Sequence, residues 1–269
     1  MMKMRRMVIL GGAAALLAVG GCGDSAPEEA RAEAKLVVGM ELTYPPFETL
    51  DAEGNPDGVG FRIAEALAAD LGRELVVENI QFDGLIPALK TGKIDLILSS
   101  MTANEKRAQS IDFSDPYVKT RLGLLVPADS DVVRVDDLNA AGRKIAVKLG
   151  TTGELYAKEH LTEADVVVLD SQDVCVTEVI QARVDAFIYD QLSLLAYEQE
   201  FADKTKSVME PFQEESWAVG LKKGNDGLRG EVNAFLKKFR EAGGFDDLAE
   251  RYMQKEKALC EAKGVPFIF

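Results

Sequence analysis

Short apolar runs alternate with segments of helical periodicity from residue 35 onward. Lys35 to Met40, Leu75 to Glu78 and Ile94 to Leu98 are apolar runs of strand length. Phe61 to Leu71 and Phe82 to Leu89 repeat apolar residues at intervals of three and four, which is typical of helices that bury one face. The order strand, helix, strand, helix, strand predicts a parallel α/β sheet.

A second unit with the same order follows the first. Two further strands, Arg121 to Val126 and Ser216 to Leu221, are predicted to leave the first unit and to return to it. We therefore expect two lobes, with residues 35–117 and 218–269 in lobe 1 and residues 118–217, including the hinge strands, in lobe 2. The predicted strands of the second unit are Lys144 to Val147, Asp165 to Leu169 and Val184 to Asp190, and the later helices are Glu154 to Leu161, Val174 to Ala182, Leu228 to Arg240 and Phe245 to Met253.

The first thirty-four residues differ in composition from this body. Three basic residues precede an apolar stretch, Met7 to Val19, that is too short for a comfortable membrane span. Small residues then lead directly to Cys22, which resembles a bacterial lipoprotein signal that is cleaved before the cysteine and lipidated on it. An ordinary secretory signal with an incidental cysteine is the alternative. We expect a signal peptide at residues 1–21 and a flexible tether at residues 22–34.

The charge of the chain restricts its partners. The full sequence has a net charge of −14, which becomes −17 when Lys3, Arg5 and Arg6 leave with the signal peptide. Nucleic acids and anionic lipid surfaces need a basic footprint, so neither is an expected partner. The mean charge says little about a small ligand, whose site can differ locally from the rest of the surface.

The cysteine and histidine content gives no sign of a metal site. His160 is the only histidine of the sequence and no Cys-x-x-Cys motif occurs, so no metal or other cofactor is expected. Cys175 and Cys260 remain once Cys22 is assigned to the lipid, in a compartment that permits disulfides. The sequence leaves two alternatives open, a disulfide between them and two free buried thiols.

Polar and aromatic residues follow the predicted strands of the first unit. Glu41 and Tyr44 follow its first strand in a segment whose two prolines bar a helix, Phe82 follows the second, and Ser99 to Thr102 follow the third. These loops share one edge of a parallel sheet, which is where ligands bind in open α/β sheets. Arg107 opens a short helical turn there, and its planar guanidinium matches a carboxylate with two parallel hydrogen bonds.

The second unit offers comparable groups. Thr151 and Thr152 lie between two glycines at the start of a predicted helix, where hydroxyls and free backbone amides can meet an anion. Asp190 ends the last strand of this unit. In the first unit, Thr102 is predicted to cap the turn that carries Arg107.

These segments together resemble the family-3 extracellular solute-binding proteins, which are polar amino-acid receptors of ABC importers. The resemblance covers roughly residues 35–253. It implies a two-lobed, periplasmic-binding-protein-like (type II) fold with a central sheet in each lobe and two crossing strands as the hinge. The segments that carry it are Glu41–Phe47, Phe82–Leu89, Lys93–Asp95, Met101–Arg107, Ile111–Tyr117, Gly150–Gly153 and Val184–Ala186.

The resemblance also implies roles for individual residues. Arg107 would bind the α-carboxylate of an amino acid with help from Thr102 and from Thr151 or Thr152. Asp190 would hold the α-ammonium together with the carbonyl of Ser100, and Tyr44 and Phe82 would sandwich the side chain. The complete set of expected ligand-binding residues is Glu41, Tyr44, Phe82, Ser99, Ser100, Met101, Thr102, Arg107, Lys148, Thr151, Thr152 and Asp190.

The nature of the ligand rests on Glu41 and Lys148, at positions where members of the family vary with their ligand. A carboxylate and an ammonium at the end of the side-chain pocket would suit an amide, so glutamine or another polar neutral amino acid is expected. The alternative is that the two side chains pair with each other or with solvent.

The expected function is a receptor outside the cytoplasm. A monomer, periplasmic or at the cell surface and anchored to the membrane by the lipid on Cys22, would deliver the amino acid to ABC permease subunits. One alternative is an enzyme similar to cyclohexadienyl dehydratases, with Glu41 as the acid in the cleft. A sensory ligand-binding protein is the other.

Overall fold

The computed structural model describes residues 35–269. The predicted signal peptide, the tether and the lipidation of Cys22 lie outside these residues and stay predictions. Within the described residues, no helix is both long enough and apolar enough to cross a membrane.

Strands and helices alternate along the described chain, as the hydrophobic pattern predicts. The strands are β1 (Lys35–Met40), β2 (Thr49–Leu50), β3 (Pro56–Asp57), β4 (Glu74–Asn79), β5 (Leu96–Ile97), β6 (Ile111–Pro127), β7 (Lys144–Lys148), β8 (Asp165–Leu169), β9 (Ala186–Asp190), β10 (Thr205–Val208) and β11 (Glu214–Lys222). The helices are α1 (Val59–Asp70), α2 (Leu85–Thr91), α3 (Glu105–Ala108), α4 (Thr152–His160), α5 (Gln172–Ile180), α6 (Gln191–Glu200), α7 (Asp226–Glu241), α8 (Gly244–Tyr252) and α9 (Gln254–Lys263), with 3-10 turns at Phe82–Gly84 and Val135–Leu138.

One continuous path of hydrogen-bonded strands runs through both halves of the protein, in the order β4-β1-β5-β11-β6-β9-β7-β8, with β10 on β6. Strands β4, β1 and β5 are parallel in the first half, and β8, β7 and β9 are parallel in the second. β6 joins the halves: Ile111 to Arg121 pair with β11, and Leu122 to Leu125 pair with β9. This is the two-lobed α/β fold that the sequence predicts, with β6 and β11 as its crossing strands.

The apolar residues of the pattern form separate cores in the two halves. Leu36, Val38 and Met40 of β1 are fully buried in one cluster with apolar residues of α1, α7 and α8. In the second half, Ile145 of β7 and Ile188 of β9 are fully buried in another cluster. The lobe boundaries after residues 117 and 217 stay a prediction, because β6 and β11 run through them without a break.

Cys175 and Cys260 lie in different hydrophobic cores. Cys175 of α5 packs in a core of the second half, and Cys260 of α9 packs in the main core of the first half. Both are free buried thiols, so the disulfide alternative is wrong and the alternative of two free thiols describes the structure. Burial raises the pKa of Cys175 to about 12 and that of Cys260 to about 11, so neither thiol ionises readily.

Candidate functional site

A cavity lies between the two halves, at the carboxyl ends of the parallel strands. It holds about 470 Å³ of empty space, including its open mouth. Every residue that was predicted to bind the ligand lines this cavity except Met101 and Lys148. The lining residues are Glu41, Tyr44, Phe82, Ser99, Ser100, Thr102, Arg107, Leu122, Thr151, Thr152, Gly153, Tyr189, Asp190, Glu215 and Trp217.

Arg107 lies at one end of the cavity and is 7% exposed. Its Nη1 donates to the carbonyl of Thr102 at 2.7 Å, and its Nη2 donates to the carbonyl of Gly150, across the cleft, at 2.9 Å. Within residues 35–269, no acidic side chain brings an oxygen within 4.0 Å of the guanidinium nitrogens. Burial lowers the pKa of Arg107 to about 10, against a smaller opposite effect of Glu215. The buried cation is therefore only partly compensated by the protein.

The turn that carries Arg107 is capped differently from the prediction. The side chain of Asn104, not Thr102, accepts a hydrogen bond from the backbone N–H of Arg107 at 2.8 Å. The Thr102 hydroxyl instead donates to Oε2 of Glu215 at 2.9 Å. Asn104 is the residue that precedes α3 directly, which is where a capping side chain reaches the first free amides.

Asp190 holds a buried negative charge in the second half. It ends β9 and caps α6, because its Oδ1 accepts from the amides of Leu192 at 3.0 Å and Ser193 at 3.1 Å. Its Oδ2 is buried and has no hydrogen-bond partner. Burial raises the pKa of Asp190, while the nearby Tyr44 hydroxyl and the capped amides lower it less. One oxygen therefore serves the helix, and the other is unsatisfied beside the cavity.

Glu41 and Lys148 form an ion pair across the cleft. Lys148, the last residue of β7, is 2% exposed, and its Nζ donates to Oε2 of Glu41 in the loop after β1. The Glu41 carboxylate also accepts from the backbone N–H of Phe82 at 3.3 Å. The two groups therefore pair with each other, which is the alternative that the sequence left open.

Aromatic side chains supply most of the apolar wall. Tyr44 meets Tyr189 and Trp217 edge to face, with ring centroids 5.9 and 6.0 Å apart. Phe82 lies opposite a charged end of the cavity, with its ring centroid 5.4 Å from the guanidinium carbon of Arg107. The wall thus combines a flat apolar surface with a fixed cation at its edge.

The start of α4 brings backbone amides to the cavity. Thr151 caps this helix, and its hydroxyl donates to the carbonyl of Lys148 at 2.7 Å. Thr152 is the first helical residue and lines the cavity. Gly153 permits the close approach, because a Cβ there would lie 2.6 Å from the carbonyl oxygen of Ile188. A helix N-terminus with free amides favours an anionic group at this end.

The two serines after β5 use their hydroxyls inside the protein. The Ser99 hydroxyl accepts from the backbone N–H of Glu41 at 2.9 Å. The Ser100 hydroxyl donates to the fully buried carboxyl group of Glu48, at 2.9 Å from Oε2. Burial raises the pKa of Glu48 well above its usual range. Both serines line the cavity, but their hydroxyls hold the loop after β1 in place.

Met101 lies outside the cavity. Its side chain is 1% exposed and packs against Leu85, Ile97 and Ile111 in an apolar core. The sequence prediction included it because it lies between Ser100 and Thr102, but its side chain belongs to the apolar core and not to the cavity wall.

Residues of the crossing strands were not expected in the site. Glu215 and Trp217 of β11 and Leu122 of β6 line the cavity, as does Tyr189 of β9. Glu215 is 6% exposed, and burial raises its pKa against the lowering effects of its hydrogen bonds and of Arg107. The sequence gives no signal for Glu215, because the register of β11 against β6 decides which side chains of β11 reach the cavity.

The sequence matches a known protein family and individual relatives within it. Residues 36–255 match the family model of bacterial extracellular solute-binding proteins, family 3. The L-cystine-binding protein TcyJ of Escherichia coli (strain K12) is 29% identical over 219 residues, which cover 81% of this chain and 82% of that protein. The ABC transporter glutamine-binding protein GlnH of Bacillus subtilis (strain 168) is 30% identical over 213 residues, covering 77% and 76%.

A solved structure with a similar fold is the ancestral amino acid-binding protein AncCDT-1, described as a precursor of cyclohexadienyl dehydratase. It has a TM-score of 0.75 and 34% sequence identity, and the match covers 82% of this chain and 96% of that one.

Proposed function

Because the chain belongs to family 3 of the bacterial extracellular solute-binding proteins, we propose that it binds an amino acid between its lobes and delivers it to an ABC permease. The names of the relatives support the proposal, since TcyJ binds cystine and GlnH binds glutamine. Members of this family are extracellular, and we propose a lipid anchor on Cys22 as the link to the membrane. We also propose that the receptor is a monomer.

One observation carries the proposal. Arg107 and Asp190 are both buried at the same cavity, and each retains bonding capacity that the protein does not use. Leaving buried charges uncompensated is costly, so a stable complex needs a ligand with one negative and one positive group. The zwitterionic backbone of an amino acid has this pair of charges, and its charge-assisted hydrogen bonds to both residues would be strong ones.

We propose a polar neutral amino acid, with glutamine as the first choice. The ion pair of Glu41 and Lys148 closes the side-chain end without net charge, so a charged ligand side chain would meet no free counter-ion there. A carboxylate and an ammonium can together accept from an amide N–H and donate to its oxygen. The similarity to GlnH agrees with this choice.

Closure of the two lobes is the proposed mechanism. Contacts that span the cleft exist only when the lobes are together, and a ligand that touches both lobes favours this state. Besides the bonds of Arg107 and Lys148, Gln172 of α5 donates across the cleft to the carbonyl of Thr43 at 3.0 Å. Gln172 is held in place within its own half, because it accepts from the Tyr189 hydroxyl at 2.9 Å. The permease would then recognise the closed form.

Calorimetric titration against the twenty standard amino acids and L-cystine tests the proposal. The protein is first unfolded and refolded to remove any copurified ligand. We expect glutamine to bind, and glutamate and arginine to bind at least about a hundredfold more weakly because each leaves a buried charge unpaired. Tight binding of arginine or glutamate without any response to glutamine would show that the choice of ligand is wrong. No response to any of these amino acids would overturn the binding function.

The same sample separates binding from catalysis. The similarity to AncCDT-1 makes prephenate and arogenate the substrates to test. We propose binding without chemistry, so incubation with either compound should produce no new ultraviolet absorbance. Formation of an aromatic product would assign the protein to the dehydratases.

A further inference from the structure

The carboxyl group of Glu215 lines the cavity where Arg107 is proposed to bind the α-carboxylate of the ligand. It comes from the crossing strand β11 and is 6% exposed. Its Oε2 accepts from the Thr102 hydroxyl at 2.9 Å, and its Oε1 accepts from Nε2 of Gln213 at 2.9 Å. The Thr152 hydroxyl and the charge of Arg107 also lower the pKa of Glu215. Glu215 thus engages groups that were expected to bind the carboxylate of the ligand.

The charges at the cavity do not balance when a neutral amino acid enters. Lys148 pairs with Glu41, the ligand ammonium would pair with Asp190, and the ligand carboxylate would pair with Arg107. Glu215 is then left as a buried carboxylate without a cation of its own. Two carboxylates that share one site cannot both stay ionised at low cost, so one of them takes up a proton.

We propose that Glu215 and the α-carboxylate of the bound amino acid share one proton, so that ligand binding takes up a proton from solution. This inference rests on the proposed function. The protonated Glu215 has an O–H with which it can donate to the ligand carboxylate, whereas the ionised form can only repel it. Glu215 therefore makes the affinity of the receptor depend on pH.

Within the described residues, no lysine or arginine nitrogen, that of Arg107 included, lies within 4.0 Å of the Glu215 carboxylate oxygens. The charge of Arg107 lowers the pKa of Glu215, and the groups that hydrogen-bond to it, Thr102, Thr152 and Gln213, are neutral. The other titratable or charged groups of the cavity and of the two adjoining grooves are Glu41, Tyr44, Tyr189 and Asp190 in the cavity, Glu105 and Lys106 of α3, Tyr156 and Glu159 of α4, Glu214 of β11, and Lys119 and Arg121 of β6.

The sign of the effect follows from linkage. Burial already raises the pKa of Glu215 in the free protein, and a second carboxylate nearby raises it further. Between these two pKa values, binding takes up as much as one proton, and the affinity falls by as much as about tenfold for each unit of rising pH. Asp190 acts in the opposite direction, because an arriving ammonium lowers its pKa and can only release a proton.

Calorimetry in pairs of buffers with different ionisation enthalpies counts the protons. The probe is L-glutamine or, if another amino acid of the panel binds more tightly, that amino acid, titrated at pH 5, 6, 7 and 8. The wild-type protein should take up a fraction of a proton and bind at least about tenfold more weakly at pH 8 than at its optimum. Glu215→Gln keeps the bond from Gln213 and can donate its new N–H to the Thr102 hydroxyl, which then accepts instead of donating. It removes the titrating group, so it should take up no such proton and bind more tightly than the wild type at pH 8.

Glu214→Gln is the matched control, because it makes the same change at an exposed neighbour in β11 and should retain the proton uptake of the wild type. Wild-type binding without proton uptake between pH 5 and 8 overturns this inference and leaves the proposed function intact. Weaker binding by Glu215→Gln than by the wild type at pH 8 also overturns it. If neither protein binds any amino acid, the proposed function fails and this inference fails with it.

Discussion

Lys148 and Arg107 are both buried cations at the cleft, 2% and 7% exposed, but they have different partners. Lys148 donates to the carboxylate of Glu41, which belongs to the other half of the protein. Arg107 donates to the carbonyls of Thr102 and Gly150, and no acid of the described chain is within ion-pair distance. Carbonyl dipoles solvate a guanidinium but do not cancel its charge.

This difference separates the two tasks of the site. The end with Lys148 is neutralised by the protein itself, so it can recognise an uncharged side chain without help from the ligand. At its end of the cavity Arg107 has no ion-pair partner in the described residues, so its guanidinium keeps donors for the carboxylate of a ligand. Removal of each cation should therefore affect a different property of the protein.

Substitution of Lys148 by methionine should have the largest effect, and the effect should appear in stability. Removing one partner of a buried ion pair leaves the other charge uncompensated, which costs about 3–5 kcal/mol. Urea denaturation in the presence of saturating bound amino acid, which keeps the lobes together and the pair formed, measures this loss. Glu41→Leu together with Lys148→Met replaces both charges by apolar groups and should restore most of the lost free energy of unfolding.

Lys158→Met is the control for the loss of a lysine from an ion pair. Lys158 pairs with Glu154 one helical turn away, and its side chain is 55% exposed. An exposed pair of this kind contributes little, so its loss should change the stability by less than about 1 kcal/mol. If Glu41→Leu and Lys148→Met destabilise additively, the two residues do not form a coupled pair.

Arg107→Ala should act mainly on binding. Truncating one partner of a buried charge pair typically costs about 2–5 kcal/mol, so the affinity for the bound amino acid should fall roughly 30- to 5,000-fold. Because Arg107 is a costly buried charge in the absence of an anion, the ligand-free protein should lose little stability. Calorimetry gives the first quantity and urea denaturation gives the second.

Arg107→Lys separates charge from shape. It keeps the positive charge but loses the planar fork, so it should bind more weakly than the wild type and more tightly than Arg107→Ala. If Arg107→Ala kept the wild-type affinity, Arg107 would not be part of the ligand site. It would then differ from Lys148 only in how it packs.

The strand-end loops were predictable because their signals are local. The apolar runs located β1, β5, β7 and β9, and the rule that ligands bind at the carboxyl ends of parallel strands placed Tyr44 and Phe82 at one edge of the sheet. The resemblance to the family implied that Arg107 and Asp190 face the same ligand. The pairing of Glu41 with Lys148 could not be decided in this way. It depends on the distance between two lobes, and no sequence pattern contains that distance.

Other features escaped the sequence for identifiable reasons. Glu215 enters the cavity through the register of β11 against β6, which is a tertiary property of the hinge. Helix α9 has a single buried residue, Cys260, so it lacks the apolar periodicity by which a helix is recognised. Helix α6 begins at Gln191, directly after β9, so Asp190 is the strand end that the sequence predicts and also the cap of a helix that was not predicted.

Asp190→Asn tests whether Asp190, like Arg107, is a costly buried charge in the ligand-free protein. Of these substitutions it should have the smallest effect, and the effect should appear in the stability of the ligand-free protein. The pKa of Asp190 is raised in the folded state, so the native protein holds this proton more tightly than the unfolded chain and loses stability as the pH rises through the window between the two pKa values. Asparagine keeps the oxygen that caps α6 but removes the charge. We therefore expect the melting temperature at pH 7 to rise by about 2–4 °C, the shift that ~1 kcal/mol produces at this size, and the gain to shrink toward pH 4. Asp226→Asn, at the exposed start of α7, should give no gain, whereas a loss of stability in Asp190→Asn at pH 7 would mean that the unsatisfied oxygen is needed for folding.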